Sequence, residues 1–167
     1  MFIQNSIGNH IYTQTDSITV GNTASELTLV GTGVGNTALN ANDFFAGRSL
    51  IVYANGYYTF NAASTLDLKI KLGATTILDT GAIALVAGVS NLSWRLMAIV
   101  TCRTTGSTGT IMPQSMGEFT SIEWNMSNVI PITIDTTVSQ QFDLTAQWSM
   151  ASALASITCT NLILSYL

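Results

Sequence analysis

Thr65-Leu66-Asp67-Leu68-Lys69-Ile70-Lys71-Leu72 alternates without interruption: Leu66, Leu68, Ile70 and Leu72 point one way, Asp67, Lys69 and Lys71 the other. A two-residue period is the pattern of a strand with one face in a core and the other in water. Gly73-Ala74 then turns the chain into Thr75-Thr76-Ile77-Leu78-Asp79, so the stretch reads as a β-hairpin with a short loop.

Similar runs lie on both sides of this hairpin: Ser25 to Val30, Ser49 to Phe60, Leu92 to Arg103, Thr110 to Asn125, Ile130 to Thr136, Gln141 to Trp148 and Ser156 to Leu167. Glycine and small polar residues punctuate them, as in Gly31-Thr32-Gly33-Val34-Gly35 and in residues 104–109. The 24 threonines suit pleated strands and their turns. No stretch carries apolar residues at a period of 3.6; residues 40–46, with Asn42 as a cap, are long enough for one helical turn. Many strands at short spacing indicate an all-β sandwich or barrel. The lack of internal repeats argues against solenoids and propellers.

Charged residues make up 8% of the 167 residues and the mean hydropathy is +0.40, against about 25% charge in an ordinary soluble domain. The longest apolar runs, Ile83 to Val89 and Leu96 to Val100, fall far short of the roughly 20 residues a membrane helix needs. No membrane contact is expected, and the missing charge points to a surface covered by protein, first of all by another copy of the chain. The deficit is concentrated in residues 1–16, in Ile83 to Val100 and in the last strand. That strand reads as apolar on both sides, with Ile157, Cys159 and Ile163 on one and Leu162, Leu164 and Tyr166 on the other. Leu162, Leu164 and Tyr166 are therefore candidate subunit contacts. Residues 1–16 are poorly periodic and read as an arm in which Phe2, Ile3, Ile7, Ile11 and Tyr12 meet a partner; residues 17–167 form the β-sandwich domain.

The net charge is -4, and Arg48, Lys69, Lys71, Arg95 and Arg103 are scattered. Nucleic-acid binding needs clustered basic residues, so none is expected. The first residues lack the charged region and apolar core of a signal peptide, and synthesis in a cytoplasm is expected. Cys102 and Cys159 lie inside apparent strands and read as small buried hydrophobes.

Catalytic signatures are weak. His10 stands alone in the arm, without a nucleophile or an orienting carboxylate. Glu118 with Glu123, or Asp135 with Asp143, could meet across adjacent strands, but strand-borne acids by themselves keep edges solvated. Residues 31–35 lack the Lys-Ser or Lys-Thr ending of a phosphate loop, and Asp79-Thr80-Gly81 is explained as a turn. No enzyme activity, cofactor or metal is expected. Among the aromatic residues, Trp94 and Trp148 share phase with apolar neighbours and read as core, while Trp124, between Glu123 and Asn125, is the candidate glycan contact.

Residues 18–26 with Leu29-Val30-Gly31-Thr32-Gly33, then Gly47-Arg48-Ser49-Leu50 with Gly56-Tyr57-Tyr58, then residues 66–73 running into Leu78-Asp79-Thr80-Gly81, together with residues 101–106 and 157–161, resemble a group of β-sandwich virion proteins of tailed bacteriophages and prophages. The resemblance spans roughly residues 17–166. It implies a jelly-roll-like antiparallel β-sandwich of about eight to ten strands. It also implies a homotrimeric capsid decoration or cement protein, located in the virion after assembly in the host cytoplasm and held non-covalently to a major capsid protein or another virion protein. The alternative is a receptor- or glycan-binding module of a tail fibre or spike.

Overall fold

The computed structural model describes residues 9–167, residue 121 excepted. Among the described residues fifteen strands run in chain order: β1 (Asn9–Gln14), β2 (Ile18–Gly21), β3 (Leu27–Thr28), β4 (Gly33–Gly35), β5 (Ala38–Leu39), β6 (Ser49–Phe60), β7 (Thr65–Leu72), β8 (Thr75–Asp79), β9 (Ile83–Ala84), β10 (Val89–Thr104), β11 (Gly109–Phe119), β12 (Ile122–Ser127), β13 (Ile132–Ile134), β14 (Gln140–Trp148) and β15 (Ala155–Tyr166). They build two antiparallel sheets, a β-sandwich. The large sheet has the order β12-β11-β10-β6-β15-β1-β4, with β13 beside β11 and β2 beside β15; the small sheet is β3-β14-β7-β8, with β5 and β9 at its edges. The jelly-roll expectation concerns connectivity, and here β10, β11 and β12 follow one another as a meander within a single sheet.

The hairpin expected at residues 65–79 is present with the same bounds, and Leu66, Leu68, Ile70 and Leu72 are fully buried. Beside them in the same sheet lie Phe142, Leu144, Ala146 and Trp148 of β14, and the inward residues of β6 and β10 in the other sheet, including Leu50, Val52, Trp94 and Leu96, join the same core. Trp148 stacks on Phe60 at 5.8 Å, and its indole N–H donates to Val20 O at 3.2 Å, so the ring is buried with its polar atom satisfied. Cys102 and Cys159 are free and buried; burial pushes the Cys159 thiol up to about 12.

Three sequence expectations change. Residues 9–14 are not an arm: β1 completes the free edge of β15 and itself pairs with β4, so the segment containing residues 31–35 is a strand as well as a loop. The run from Thr110 to Asn125 is two strands. Thr120 turns the chain with φ of 49° and donates its amide to Ser93 O, a turn with no glycine or asparagine to announce it. Pro113 interrupts nothing, because β13 pairs with β11 only to Ile111 and β12 only from Gln114, leaving a gap where the missing N–H falls.

The third change concerns β15. Its register with β6 slips between Cys159 and Asn161, a β-bulge at Thr160 that reverses the phase of everything after it. Ile157 and Cys159 before the bulge, and Leu162, Leu164 and Tyr166 after it, consequently all face one core. Three side chains hold the bulge. Gln14, itself buried, donates to Cys159 O; Thr160 Oγ1 donates to Asn55 O at 3.2 Å; Asn161 Nδ2 donates to Asn55 Oδ1 at 2.9 Å. Gly56 is required opposite, since a Cβ there would lie 1.9 Å from Thr158 O.

Candidate functional site

The two outer faces of the sandwich differ in chemistry. On the small sheet, the alternation that buries four aliphatic side chains of β7 also turns Asp67, Lys69 and Lys71 outward beside β14. Lys71 reaches Glu26 at 2.9 Å, Lys69 reaches Asp67 at 3.2 Å and Glu26 at 3.4 Å, and Thr145 Oγ1 donates to Glu26 at 2.9 Å. The Lys71 ammonium, with Thr145 and Lys69, holds the Glu26 carboxyl below its ordinary range against partial burial. Burial and the neighbouring Asp79 carboxylate push Asp67 up, with Lys69 opposing. Both lysines of the chain belong to this face, a solvated surface on which they lie among Glu26, Asp67, Asp79 and Asp143.

The outer face of the large sheet is apolar across its middle. Strand register sets Asn125, Met116, Met97, Tyr53, Ile163, Thr13 and Val34 in one row across seven strands. The adjacent row runs Ser127, Gln114, Ile99, Ile51 and Ser165, and Met112 lies beyond it opposite Thr101. Met116 is 58% exposed, Tyr53 45%, Ile99 41% and Ile163 40%. Contiguous apolar side chains in water mark contact surfaces more often than single ones do. Charge appears only at the two ends of this middle zone. At one end Arg95 donates to Glu118 at 2.6 Å, and Glu123 is the register partner of Glu118; at the other end stands Arg103. Among the described residues neither Glu123 nor Arg103 has an ion-pair partner. Two open hollows, of about 350 and 370 Å³, flank the Met97–Met116 pair, one toward Arg95, Glu118 and Glu123, the other toward Ile99, Met112 and Arg103.

The residues singled out from the sequence fall elsewhere. Phe2, Ile3 and Ile7 lie outside the described residues. Ile11 is half-buried against the core, and Tyr12 is inside it at 4% exposure, its hydroxyl donating to Gly31 O at 2.7 Å. Leu162, Leu164 and Tyr166 are covered by the chain's own core because the bulge turns them inward. The Arg48 guanidinium lies 3.7 Å over the Tyr166 ring, and burial raises the Tyr166 hydroxyl to about 12. Trp124 is 8% exposed: its ring lies against Gly117, where a Cβ would approach it to 2.1 Å, and packs 5.8 Å from Phe119. A glycan cannot reach that ring in this arrangement. Glu118 and Glu123 do meet, as expected, whereas Asp143 accepts from Thr28 Oγ1 and Asp135 from Thr137, on separate elements.

No protein-family model matches this chain, and no curated protein matches it.

The sequence signal for the apolar face was present in part. Residues 83–100 were expected to make contacts, and Met97 and Ile99 are the apolar residues of that stretch that the apolar middle of this face includes. Met112, Met116, Tyr53 and Ile51 escaped because their strands are separated in sequence and are joined only by register. Among the described residues no three His, Cys, Asp or Glu side chains cluster as metal ligands would.

Proposed function

We propose that the chain is a structural protein of a bacteriophage virion, a capsid decoration or cement protein that self-associates and binds the particle through non-covalent contacts. The observation that carries this reading is the apolar, nearly charge-free middle of the large sheet's outer face, set against the charged, ion-paired outer face of the small sheet. A protein that works by adhesion needs a wide, rigid surface, and a strand lattice fixes each contact residue more tightly than loops do. The resemblance to phage β-sandwich proteins supplies the setting, with further copies of the chain and a major capsid protein as partners. Repetition over a symmetric particle lets each contact be modest, because avidity multiplies it.

The test is addition of the purified chain to particles that lack it. Co-sedimentation with them and increased resistance to heat or osmotic shock are the expected results. Failure to bind particles, combined with binding to host cells, would replace this reading by a receptor-binding module of a fibre or spike.

A further inference from the structure

We infer that the outer face of the large sheet pairs with the same face of a second copy of the chain, face to face about a two-fold axis near Ile99 and Gln114. The inference rests on reading this face as an assembly surface and adds the partner and the symmetry. A two-fold axis lying between the two faces and running across their strands through Gln114 exchanges the two ends of the face. It brings Arg103 of each copy over the Arg95, Glu118 and Glu123 cluster of the other, which carries one net negative charge by residue type. The Glu118–Glu123 pair, two like charges directly opposite across β11 and β12 and destabilising by themselves, then gains a second cation. An unpaired arginine at one end and an unpaired glutamate at the other are what a self-complementary contact requires.

Shape and composition agree with this arrangement. Met116 stands between the two hollows, and the same rotation carries the Met97–Met116 pair of one copy toward Met112 and Thr101 of the other, where the second hollow lies. The face holds three of the six methionines, two exposed tyrosines (Tyr53 and Tyr57), two of the three arginines and neither lysine. Interface cores are enriched in methionine, aromatic residues and arginine and depleted in lysine. From β12 to β15 the face is five strands wide, and from Arg95 to Arg103 it is eight residue steps long, about 24 by 27 Å or about 650 Å² in projection. Side-chain relief raises the accessible area above the projection, toward the roughly 800 Å² per partner of a specific interface. A three-fold ring uses two different patches on each subunit, whereas this face is complementary to itself.

Charge reversal in trans tests the inference. In light scattering or sedimentation the wild-type chain is expected to be a dimer, and R103E and E123R, each placing like charges at both ends, are expected to dimerise about tenfold or more weakly. An equimolar mixture of the R103E and E123R chains restores both attractions and should regain the dimer; M116K, at an exposed position, should be monomeric with an unchanged far-ultraviolet circular dichroism spectrum. A trimer whose mass is unaffected by all three substitutions overturns the pairing and leaves the proposed particle-binding role standing. A monomer that still binds particles overturns the pairing as well, while a chain that neither pairs nor binds particles overturns both.

Discussion

Gly56→Ala tests the bulge that orders the last strand. Gly56 lies in β6 opposite Trp94 of β10 and Cys159 of β15, and an added Cβ would sit 1.9 Å from Thr158 O and 2.9 Å from its carbonyl carbon. Relief requires the β15 backbone to retreat by about 1.5 Å to reach ordinary contact, in the middle of the large sheet. Overpacking of this kind costs about 1–3 kcal/mol. The same carbonyl accepts the buried Trp94 indole N–H at 2.9 Å, and leaving that donor unpaired adds about 1–3 kcal/mol. The sum is about 4 kcal/mol, which for a chain of this size lowers the melting temperature by roughly 8–16 °C. Urea unfolding followed by circular dichroism measures the loss, and a changed native tryptophan emission reports the displaced Trp94. Gly47→Ala serves as the contrast: nothing lies within 4 Å of its Cβ position and only its φ of 90° resists, so about 1 kcal/mol is expected. A Gly56→Ala protein within 1 kcal/mol of wild type would refute the close approach and with it the bulge.

Four further outcomes follow from the same geometry. Leu164→Ala, fully buried after the bulge, should cost about 3 kcal/mol by urea unfolding, while Ile163→Ala, 40% exposed, should cost under about 1 kcal/mol; equal effects would place the phase reversal elsewhere. Glu26→Gln should lose about 1 kcal/mol at pH 7. Because the folded Glu26 carboxyl is held low, its stabilisation is present above the unfolded-state pKa and disappears as pH falls through the folded one, so wild type and variant should converge in acid. Asp67→Asn should show the opposite trend, its stability relative to wild type rising with pH above the ordinary carboxylate range, since the folded Asp67 carboxyl is raised and its ionised form is the disfavoured one. Cys159, buried with its thiol pushed up to about 12, should resist a thiol reagent until the protein is unfolded in urea, as timed by mass spectrometry.

What the sequence determined by itself is local. Alternation at period two is a property of one strand, and it located β6, β7, β8 and β14 nearly residue for residue, along with the buried aliphatic row of Leu66 to Leu72. Trp94 and Trp148 were legible as core for the same reason, since each shares the phase of its apolar neighbours. The tertiary structure decided everything that depends on how distant strands pair. Phase in β15 reverses because Asn55 and Gln14, 106 and 145 residues away along the chain, hold the bulge at Thr160, and no local pattern encodes those partners. Tyr12 became core because β15 had an edge to fill, and Trp124 became core because Gly117 sits across from it. The outward apolar face is a product of register: Met116, Met97, Tyr53 and Ile163 come from four strands spread over 110 residues, and only the ladder hydrogen bonds set them side by side.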